Sequence, residues 1–434
     1  MNLLALDVGS SSVKAAILKR GEVTGKVARA PFDTHYDGVK VEVDARAILK
    51  AIAAAIAQVG PAAKRVQTIG LTVMAPSWVA IDKKGKALTP VITHQDRRST
   101  DVARDLEKRV GKSRHLKLAG NRPFPGGISS TTWAWYRRHA PEVMKRADLV
   151  GHLNTFLHRH LTHSRVIDPS NASFMGVYST CTLDGWNEEL MDAVGAGEHE
   201  LPQLMDADAV GGLVTHEAGR DFGLTHGTPV LVGCMDGSAA MLLAGNKPGQ
   251  LVNVCGSTDV LALCTDEPTP HEKLLTRAIG VGPRWVSVST IASAGSSLTW
   301  AKDNLFADLS VPAFRKRVAR LGERPLQSSV RFEPYLAGER TSVDQRQGAF
   351  TGLTLATTRE EMLSAIIESL ATTSAARLPL LAEGGTKFLP TVYVTGGVSD
   401  GLADLLHRDW PGHFKFQQIE EATLRGVGRM VPQN

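Results

Sequence analysis

Asp7 and the turn after it are the first residues in this chain that could do chemistry. An apolar run from Leu3 ends at Asp7, the turn Gly9-Ser-Ser-Ser12 follows, and a second apolar run continues to Leu18. Backbone N–H groups and small hydroxyls without bulky side chains suit a phosphate cradle. The Asp7 carboxylate could hold a divalent metal through its oxygens. An ordinary β-hairpin with a Gly-Ser turn is the alternative for this stretch alone.

A second copy of the pattern strengthens the phosphate interpretation. Residues 250–263 again contain an apolar run, a Gly256-Ser-Thr258 turn and another apolar run. Two such hairpins, one in each half of the chain, indicate two related domains that each lend a loop to one polyphosphate.

Two further features lie where apolar runs end. Pro229-Val-Leu-Val-Gly-Cys-Met-Asp236 predicts a buried strand with an acid at its end, and that acid could be a general base or a helix N-cap. The residues alone leave both open. Gly396 and Gly397 follow the predicted strand 391–395, where they would admit a ligand close to the backbone or form a plain strand-to-helix turn.

The elements that must position these residues have a mixed α/β order. The first hairpin is followed by a third strand, an Ala-rich helix over 45–58 capped by Asp44, a buried strand over 66–73, and a hairpin over 78–92. In the second half, Thr358-x-x-Glu361 is a capping box that opens a long helix to about residue 381. We place the domain boundary near residue 245, which gives domains 1–244 and 245–434.

Composition limits the classes of partner. A length of 434 residues predicts two or three domains, and the net charge of +5 is mild and scattered, which fits an anionic ligand and argues against nucleic acid. The four cysteines show no C-x-x-C spacing, which indicates a reducing compartment. We expect neither a signal peptide nor an apolar stretch of the ~20 residues that a membrane helix needs. The prediction is a cytoplasmic protein that does not bind a membrane.

With these features in view, the chain resembles the FGGY family of carbohydrate kinases, in the actin/Hsp70/sugar-kinase superfamily. The resemblance spans nearly the whole length. It rests on the two Gly-Ser turns, on the segment ending at Asp236, and on the C-terminal stretches Pro334–Arg340, Gly348–Thr354 and Val394–Gly397.

The resemblance implies two actin-like, ribonuclease H-like α/β domains flanking a catalytic cleft. It implies transfer of the ATP γ-phosphoryl group to a sugar or polyol hydroxyl, with Asp236 as general base and Mg²⁺ held by Asp7 and Asp236. The implied nucleotide contacts are Asp7, Gly9, Ser10, Ser11, Ser12, Lys14, Gly256, Ser257, Thr258, Gly396 and Gly397. For Lys14, a solvated lysine at a strand edge is the alternative.

The resemblance also implies a set of sugar contacts. They are Met74, Ala75, Trp78, His94, Gln95 and Asp96, together with Asp236. A core position for Trp78 and a surface ion pair of Asp96 with Arg97 and Arg98 are the alternatives. A pentulose such as xylulose is the expected acceptor, and a homodimer is one option for the assembly.

The sequence departs from the family pattern at several positions, among them Thr132, where Lys is common. His94 replaces a usual Trp, Ala75 stands where pentulose kinases often have His, and Gln347 stands where Arg is common. These departures leave the identity of the sugar open. They also keep a second hypothesis, an ATP-binding sensor or inactive kinase-like protein of the same fold.

Overall fold

Strands and helices follow each other in the mixed α/β order that the sequence predicts. The computed structural model describes residues 2–396 and 401–431. The strands are β1 (Asn2–Val8), β2 (Ser12–Lys19), β3 (Glu22–Pro31), β4 (Thr34–Asp37), β5 (Lys40–Val43), β6 (Thr68–Val73), β7 (Ser77–Ile81), β8 (Val91–Thr93), β9 (Leu149–Gly151), β10 (Val166–Ile167), β11 (Gln203–Leu204), β12 (Val210–Leu213), β13 (Pro229–Leu231), β14 (Cys234–Met235), β15 (Leu251–Cys255), β16 (Asp259–Thr265), β17 (Leu275–Ala278), β18 (Trp285–Ile291), β19 (Arg331–Glu333), β20 (Ala349–Thr351), β21 (Thr391–Thr395) and β22 (Lys415–Gln418).

The helices are α1 (Ala45–Val59), α2 (Thr100–Val110), α3 (Lys112–Ala119), α4 (Ser129–His139), α5 (Pro141–Arg146), α6 (Leu153–Leu161), α7 (Pro169–Met175), α8 (Glu188–Val194), α9 (His216–Phe222), α10 (Asp236–Leu243), α11 (Gly295–Leu305), α12 (Val311–Glu323), α13 (Arg359–Ala382), α14 (Leu402–His407) and α15 (Ala422–Val427).

The chain forms two compact units. The first contains residues 1–247, 264–287 and 421–434, and the second contains residues 248–263 and 288–420. The last segment of the chain therefore packs with the first unit. A single boundary near residue 245 stays a prediction.

The main sheet of the first unit is built around β1. Its strand order is β12-β13-β6-β1-β2-β3, and β14 also pairs with β6. β1 and β2 form the predicted antiparallel hairpin, whereas β1, β6 and β14 run parallel. Because residues 3–8 of β1 are buried throughout, this strand occupies the sheet interior, as a continuous apolar run predicts.

Helix α1 covers part of this sheet. Asp44 caps it by accepting a hydrogen bond from the Arg46 amide, and residues such as Ile48 and Ile52 bury one face in the core. Within the described residues, the segment Ala45–Arg65 is the one whose length and composition would suit a membrane span. The expectation that no such stretch exists was therefore wrong, but the buried apolar face is that of a core helix.

The second unit repeats the same arrangement of three strands. β15 and β16 form an antiparallel hairpin, and β15 runs parallel to β21. The first unit pairs β1 with β2 and with β6 in the same way. Each unit therefore contains a hairpin that is closed by a Gly-Ser turn and has a parallel strand beside it.

One predicted strand is interrupted. The run from Pro229 to Asp236 forms two short strands, β13 and β14, separated at Gly233. Gly233 has φ +77, and a Cβ there would lie 2.4 Å from the Leu71 carbonyl oxygen. The left-handed backbone at Gly233 interrupts the hydrogen bonding of this strand to its neighbour. A pattern of apolar residues cannot reveal such an interruption.

Candidate functional site

The parallel strands of the first unit end at one edge of the sheet. Val8 pairs with Val73, and Val73 pairs with Met235. The next residue of each strand therefore lies at the same level, which brings Gly9, Met74 and Asp236 to this edge. Neighbouring strands are about 4.8 Å apart, so Gly9 and Asp236 are separated by roughly two strand spacings. Ligands of α/β proteins bind at such carboxyl ends.

Asp7 is buried at the end of β1. Its Oδ2 accepts a hydrogen bond of 2.7 Å from Thr423 Oγ1, and Lys14 Nζ lies 4.0 Å from the same oxygen. Burial raises the pKa of Asp7, whereas the Thr423 hydrogen bond and the charge of Lys14 lower it. The carboxylate is thus held in one orientation, with 9% of its side chain exposed.

Lys14 is paired rather than free. Its ammonium group lies 2.9 Å from Glu421 Oε2, and Arg29 Nη2 lies 2.5 Å from Glu421 Oε1. Glu421 has φ +44 and immediately precedes α15. Part of the positive charge that the sequence assigned to a phosphate is therefore compensated by this carboxylate.

Helix α15 touches the elements that carry both acids. Thr423 reaches Asp7, and a Cβ at Gly426 would lie 1.9 Å from the Ala239 carbonyl oxygen of α10. Leu424 and Val427 are buried in a cluster with residues of β1 and α10. The glycine is required because the two helix backbones meet there. One short helix therefore packs against β1 and the helix that begins with Asp236.

The Gly9–Ser12 turn is tight and open to solvent on its side-chain face. The Gly9 amide donates to the Ser12 carbonyl oxygen at 3.0 Å, and the Phe32 amide donates to the Ser11 carbonyl oxygen at 3.0 Å. Ser10 and Ser11 are exposed. Their hydroxyl groups are accessible to an anion.

Asp236 is the first residue of α10 and is half-buried. Met235 occupies the cap position, so Asp236 does not act as the N-cap in the strict sense. Its Oδ1 accepts a hydrogen bond of 2.7 Å from the Gly237 amide. A carboxylate in the first helical turn is also stabilised by the helix dipole.

A buried polar network supports the backbone just before Asp236. The Met235 amide donates to Ser170 Oγ at 3.0 Å, and the Ser170 hydroxyl in turn donates to Asp168. Asp168 is fully buried and also accepts from the Asn154 and Asn171 side chains. Burial raises the pKa of Asp168 to about 6. The sequence pattern around Asp168 did not indicate this role.

The predicted sugar contacts fall into two groups. Met74 ends β6 and donates its amide to the Val8 carbonyl oxygen at 2.8 Å, and Ala75 is half-buried beside it. His94 and Gln95 are half-buried after β8, where Gln95 Oε1 accepts from the Tyr36 hydroxyl at 3.2 Å. Ala75, His94 and Gln95 keep partial access, whereas Met74 is only 2% exposed, and all four stay predictions.

Trp78 and Asp96 are buried as well. Trp78 is fully buried and stacks on Tyr136 with ring centroids 4.8 Å apart, which is a core position, and a sugar contact at this residue stays a prediction. Asp96 is 1% exposed and pairs with Arg98 at 2.7 Å, and its Oδ2 also accepts from the Val41 amide. The alternative of a surface ion pair was wrong, because this pair is buried.

In the second unit, the turn Gly256–Thr258 closes the β15–β16 hairpin. The Gly256 amide donates to the Thr258 carbonyl oxygen at 2.9 Å, and the amides of Gly295 and Ser296 donate to the carbonyl oxygens of Gly256 and Ser257 at 3.1 Å. The start of α11 is therefore bound to the predicted phosphate turn.

Gly396 follows β21 beside Cys255. It has φ +119, and a Cβ there would lie 2.0 Å from the Cys255 carbonyl oxygen. Backbone packing thus requires this glycine, independently of any nucleotide. Gly397 lies outside the described residues.

A cavity of about 690 Å³ lies beside the Gly256–Thr258 turn, since it is lined by Gly295, whose amide binds Gly256. Helices α11, α12 and α14 form it, with Leu298, Phe314, Val318 and Leu402 among the apolar wall residues and Gly295 and Gly401 at its ends. Apolar walls with a few polar groups are typical of small-molecule sites. The amphipathic patterns of α11 and α12 were the sequence signal that could have indicated this cavity. No sequence signal could have indicated Thr423 and Glu421, since they lie more than 400 positions from their partners Asp7 and Lys14.

Known proteins match the chain along most of its length. Residues 2–243 match the N-terminal domain, and residues 251–403 the C-terminal domain, of the FGGY family of carbohydrate kinases. The gluconokinase of Bacillus subtilis is 26% identical over 385 residues, which is 85% of this chain and 74% of that protein. The xylulose kinase of Escherichia coli is 24% identical over 433 residues, or 98% of this chain and 87% of that protein.

Solved structures match the fold as well. The crystal structure of xylulose kinase from Rhodospirillum rubrum superimposes with a TM-score of 0.84 at 23% identity and covers 99% of this chain and 88% of that one. The mixed α/β architecture in two units agrees with the two actin-like domains that the resemblance implied. The chain belongs to the FGGY family of carbohydrate kinases and is an ATP-dependent sugar kinase.

Proposed function

We propose that this kinase phosphorylates a hydroxyl group of a small open-chain or ring sugar, with a pentulose such as xylulose as the first candidate. The observation that supports a site at the first unit's sheet edge is the shared register of Val8, Val73 and Met235. It supports this site because the end of β1 and the start of α10 lie at the same sheet edge, with β6 between them. Met74, Ala75, His94 and Gln95 are the proposed sugar contacts.

Asp236 is the proposed general base. It would take the proton from the acceptor hydroxyl while that oxygen forms a bond to the γ-phosphorus and the bond from phosphorus to the β–γ bridging oxygen breaks, releasing ADP. The half-buried carboxylate at the start of α10 is fixed by the Gly237 amide and by the Ser170–Asp168 network behind Met235. A fixed base needs little reorganisation during transfer.

Mg²⁺ fits the oxygen donors at this edge. Asp7 and Asp236 are carboxylates at the ends of parallel strands, and carboxylate oxygens are the donors that Mg²⁺ prefers. When bound with ATP, the ion would neutralise negative charge on the phosphates. Asp7 would hold it directly or through water, with Thr423 fixing the carboxylate.

The second unit is the proposed adenosine-binding part. The cavity among α11, α12 and α14 has apolar walls for a base, and the Gly256–Thr258 turn lies where α11 begins. Within this proposal, Gly256, Ser257 and Thr258 face the phosphates, and Gly396 and Gly397 face the adenosine.

An acceptor panel tests the proposal. ADP release would be measured with Mg-ATP and a set of pentuloses, hexuloses, aldonates and polyols, because the similar proteins include a gluconokinase and a xylulose kinase. We expect one compound to give a rate far above the others and above ATP hydrolysis alone. Tight ATP binding without any active acceptor would contradict the proposed reaction and favour the sensor hypothesis.

A further inference from the structure

A five-stranded sheet of order β4-β5-β8-β7-β9 also belongs to the first unit, and two adjoining cavities lie at the end of β7 that is remote from Ser77. β7 begins at Ser77, close to the proposed sugar contacts, and runs to the turn Asp82–Lys86, roughly 16 Å away for five residues. The cavities, about 500 and 710 Å³, adjoin this turn and share Leu49, Lys84 and His160. Neither contains a residue proposed above for ATP, magnesium or sugar.

Cations without carboxylate partners line these cavities. Arg46, Lys84 and Lys86 line the first, and Lys50, Lys84 and Arg159 line the second. Across residues 2–396 and 401–431, no carboxylate forms an ion pair with any of these five side chains. Arg159 instead donates to the carbonyl oxygens of His163 at 2.5 Å and Lys83 at 3.4 Å, so its charge is not neutralised.

The acids that line the same cavities are all engaged. Glu42 pairs with Arg98 at 2.5 Å, and Asp44 accepts from the Arg46 amide at 3.0 Å as the cap of α1. Asp221 lies 3.1 Å from Arg220, and Glu217 lies 3.8 Å from His163. The amide does not neutralise Asp44, and the His163 contact neutralises Glu217 only when that histidine is protonated. The five cations still outnumber these acids, so the net charge of the two linings is positive.

The turn that carries two of these lysines is rigid. Asp82 Oδ1 accepts hydrogen bonds from the amides of Lys84 and Lys86, both at 2.9 Å, and the Gly85 amide donates to the Asp82 carbonyl oxygen at 2.9 Å. Arg159 binds the same turn from α6 through the Lys83 carbonyl oxygen. Because the backbone is fixed from two sides, the lysines extend from a defined position rather than from a loose loop.

His160 adds a buried polar group and an apolar wall. Its Nε2 is buried and has no hydrogen-bond partner in the described part of the chain, and its ring packs edge-on against Phe156 with centroids 4.6 Å apart. An imidazole nitrogen without a partner at a cavity wall can bind a ligand oxygen.

We propose that these two cavities form a second ligand site, distinct from the kinase site, for a small molecule with several phosphate groups. Lys50 and Lys84 on facing elements, with Arg46 and Lys86 at one end, supply the positive charge for two or more phosphates. Phe156, Leu49 and Phe222 supply apolar walls for the carbon skeleton. The volumes of about 500 and 710 Å³ lie in the range of small-molecule sites, although both clefts are open to solvent on one side.

The test uses inorganic tripolyphosphate as the probe. Full-length protein is first saturated with Mg²⁺ and a non-hydrolysable ATP analogue, which fills the kinase site, and tripolyphosphate binding is then followed by isothermal titration calorimetry. We expect one additional binding event that weakens with salt. The double variant Lys50→Ala/Lys84→Ala should weaken it by about tenfold or more, which corresponds to ~1.4 kcal/mol.

The matched control is Lys26→Ala/Lys64→Ala, which removes the same charge from exposed positions of the first unit. It should bind the probe like the wild type. Equal weakening in both double variants, or no binding by the wild type up to about 10 mM probe, would overturn the proposal. Calorimetric binding of tripolyphosphate does not depend on phosphoryl transfer. A failure of the kinase proposal would instead appear as the absence of an active acceptor in the panel, so the two failures can be told apart.

Discussion

At the scale of residues, the two acids are held by different means. Asp7 depends on a single side-chain donor, Thr423, with Lys14 at 4.0 Å. Asp236 Oδ1 accepts from the Gly237 amide, and the preceding Met235 amide is held by the Ser170 side chain. A change at Thr423 should therefore act directly on the Asp7 carboxylate.

Thr423→Val tests the contact to Asp7. The variant keeps the shape of the side chain but leaves a buried carboxylate without its donor, which we expect to cost about 1–3 kcal/mol of unfolding free energy. Turnover should also fall, because Asp7 loses its fixed orientation. Urea unfolding and ADP release would be measured together.

Thr423→Ser is the control for this variant, since it retains the hydroxyl that donates to Asp7 at 2.7 Å in the wild type. It should recover most of the stability and activity. A Val variant as stable and active as the wild type, with the loss confined to the Ser variant, would show that the methyl packing of Thr423, and not its hydrogen bond, is what matters.

The residue types predicted some positions and missed others for physical reasons. Asp7 and Asp236 could be found because each ends an apolar run, and their proximity follows from parallel strands. For Trp78 and Asp96, local sequence could not reveal the core stack and the buried ion pair that the structure shows, and their sugar contacts stay predictions. The contact of Thr423 with Asp7 could not be predicted from the sequence, since only the folded chain brings the two residues together.

At the scale of elements, the strand ends and α15 determine the site. Periodicity predicted the β1–β2 hairpin and the capped helix α13, because both depend on local patterns. It did not predict the break at Gly233, which results from close approach to Leu71. The packing of α15 on α10 at Gly426 likewise could not be predicted from local sequence, since it depends on contact between segments that are distant in the chain.

Helix α6 makes the first unit sensitive to acid. His158 is fully buried on α6, and its imidazole contacts the Leu231 carbonyl oxygen at 3.1 Å. Burial lowers the pKa of His158 to about 4, against 6.5 for an unperturbed histidine. The folded state therefore keeps this ring neutral while the unfolded state binds a proton below pH 6.5. The stabilisation is fully present above pH 6.5 and is lost as the pH falls towards 4.

We therefore expect the unfolding free energy to fall between pH 7.5 and 5.5, with His158 contributing about 1 kcal/mol of the change. His158→Gln should be less stable at pH 7.5 but should show a smaller loss on acidification. His163→Gln, at a side chain that is 60% exposed, is the control and should keep the wild-type pH dependence. An identical pH dependence in wild type and His158→Gln would contradict the assignment.

At the scale of the whole molecule, the chain uses one arrangement twice. Each unit has a hairpin closed by a Gly-Ser turn beside a parallel strand, β1–β2 with β6 and β15–β16 with β21. The repeated sequence pattern predicted this duplication. It could not predict that residues 421–434 return to the first unit, where α15 contacts the elements that carry Asp7 and Asp236.

The most direct test of the account is phosphoryl transfer by Asp236→Ala. ADP release with Mg-ATP and the best acceptor of the panel would be compared for wild type, Asp236→Ala and Asp184→Ala, an exposed aspartate of the same unit. We expect Asp236→Ala to lose about 10²–10⁴-fold in turnover while calorimetry shows that it still binds ATP, and Asp184→Ala to behave like the wild type. Wild-type turnover by Asp236→Ala would contradict the assignment of the general base and, with it, the proposed site.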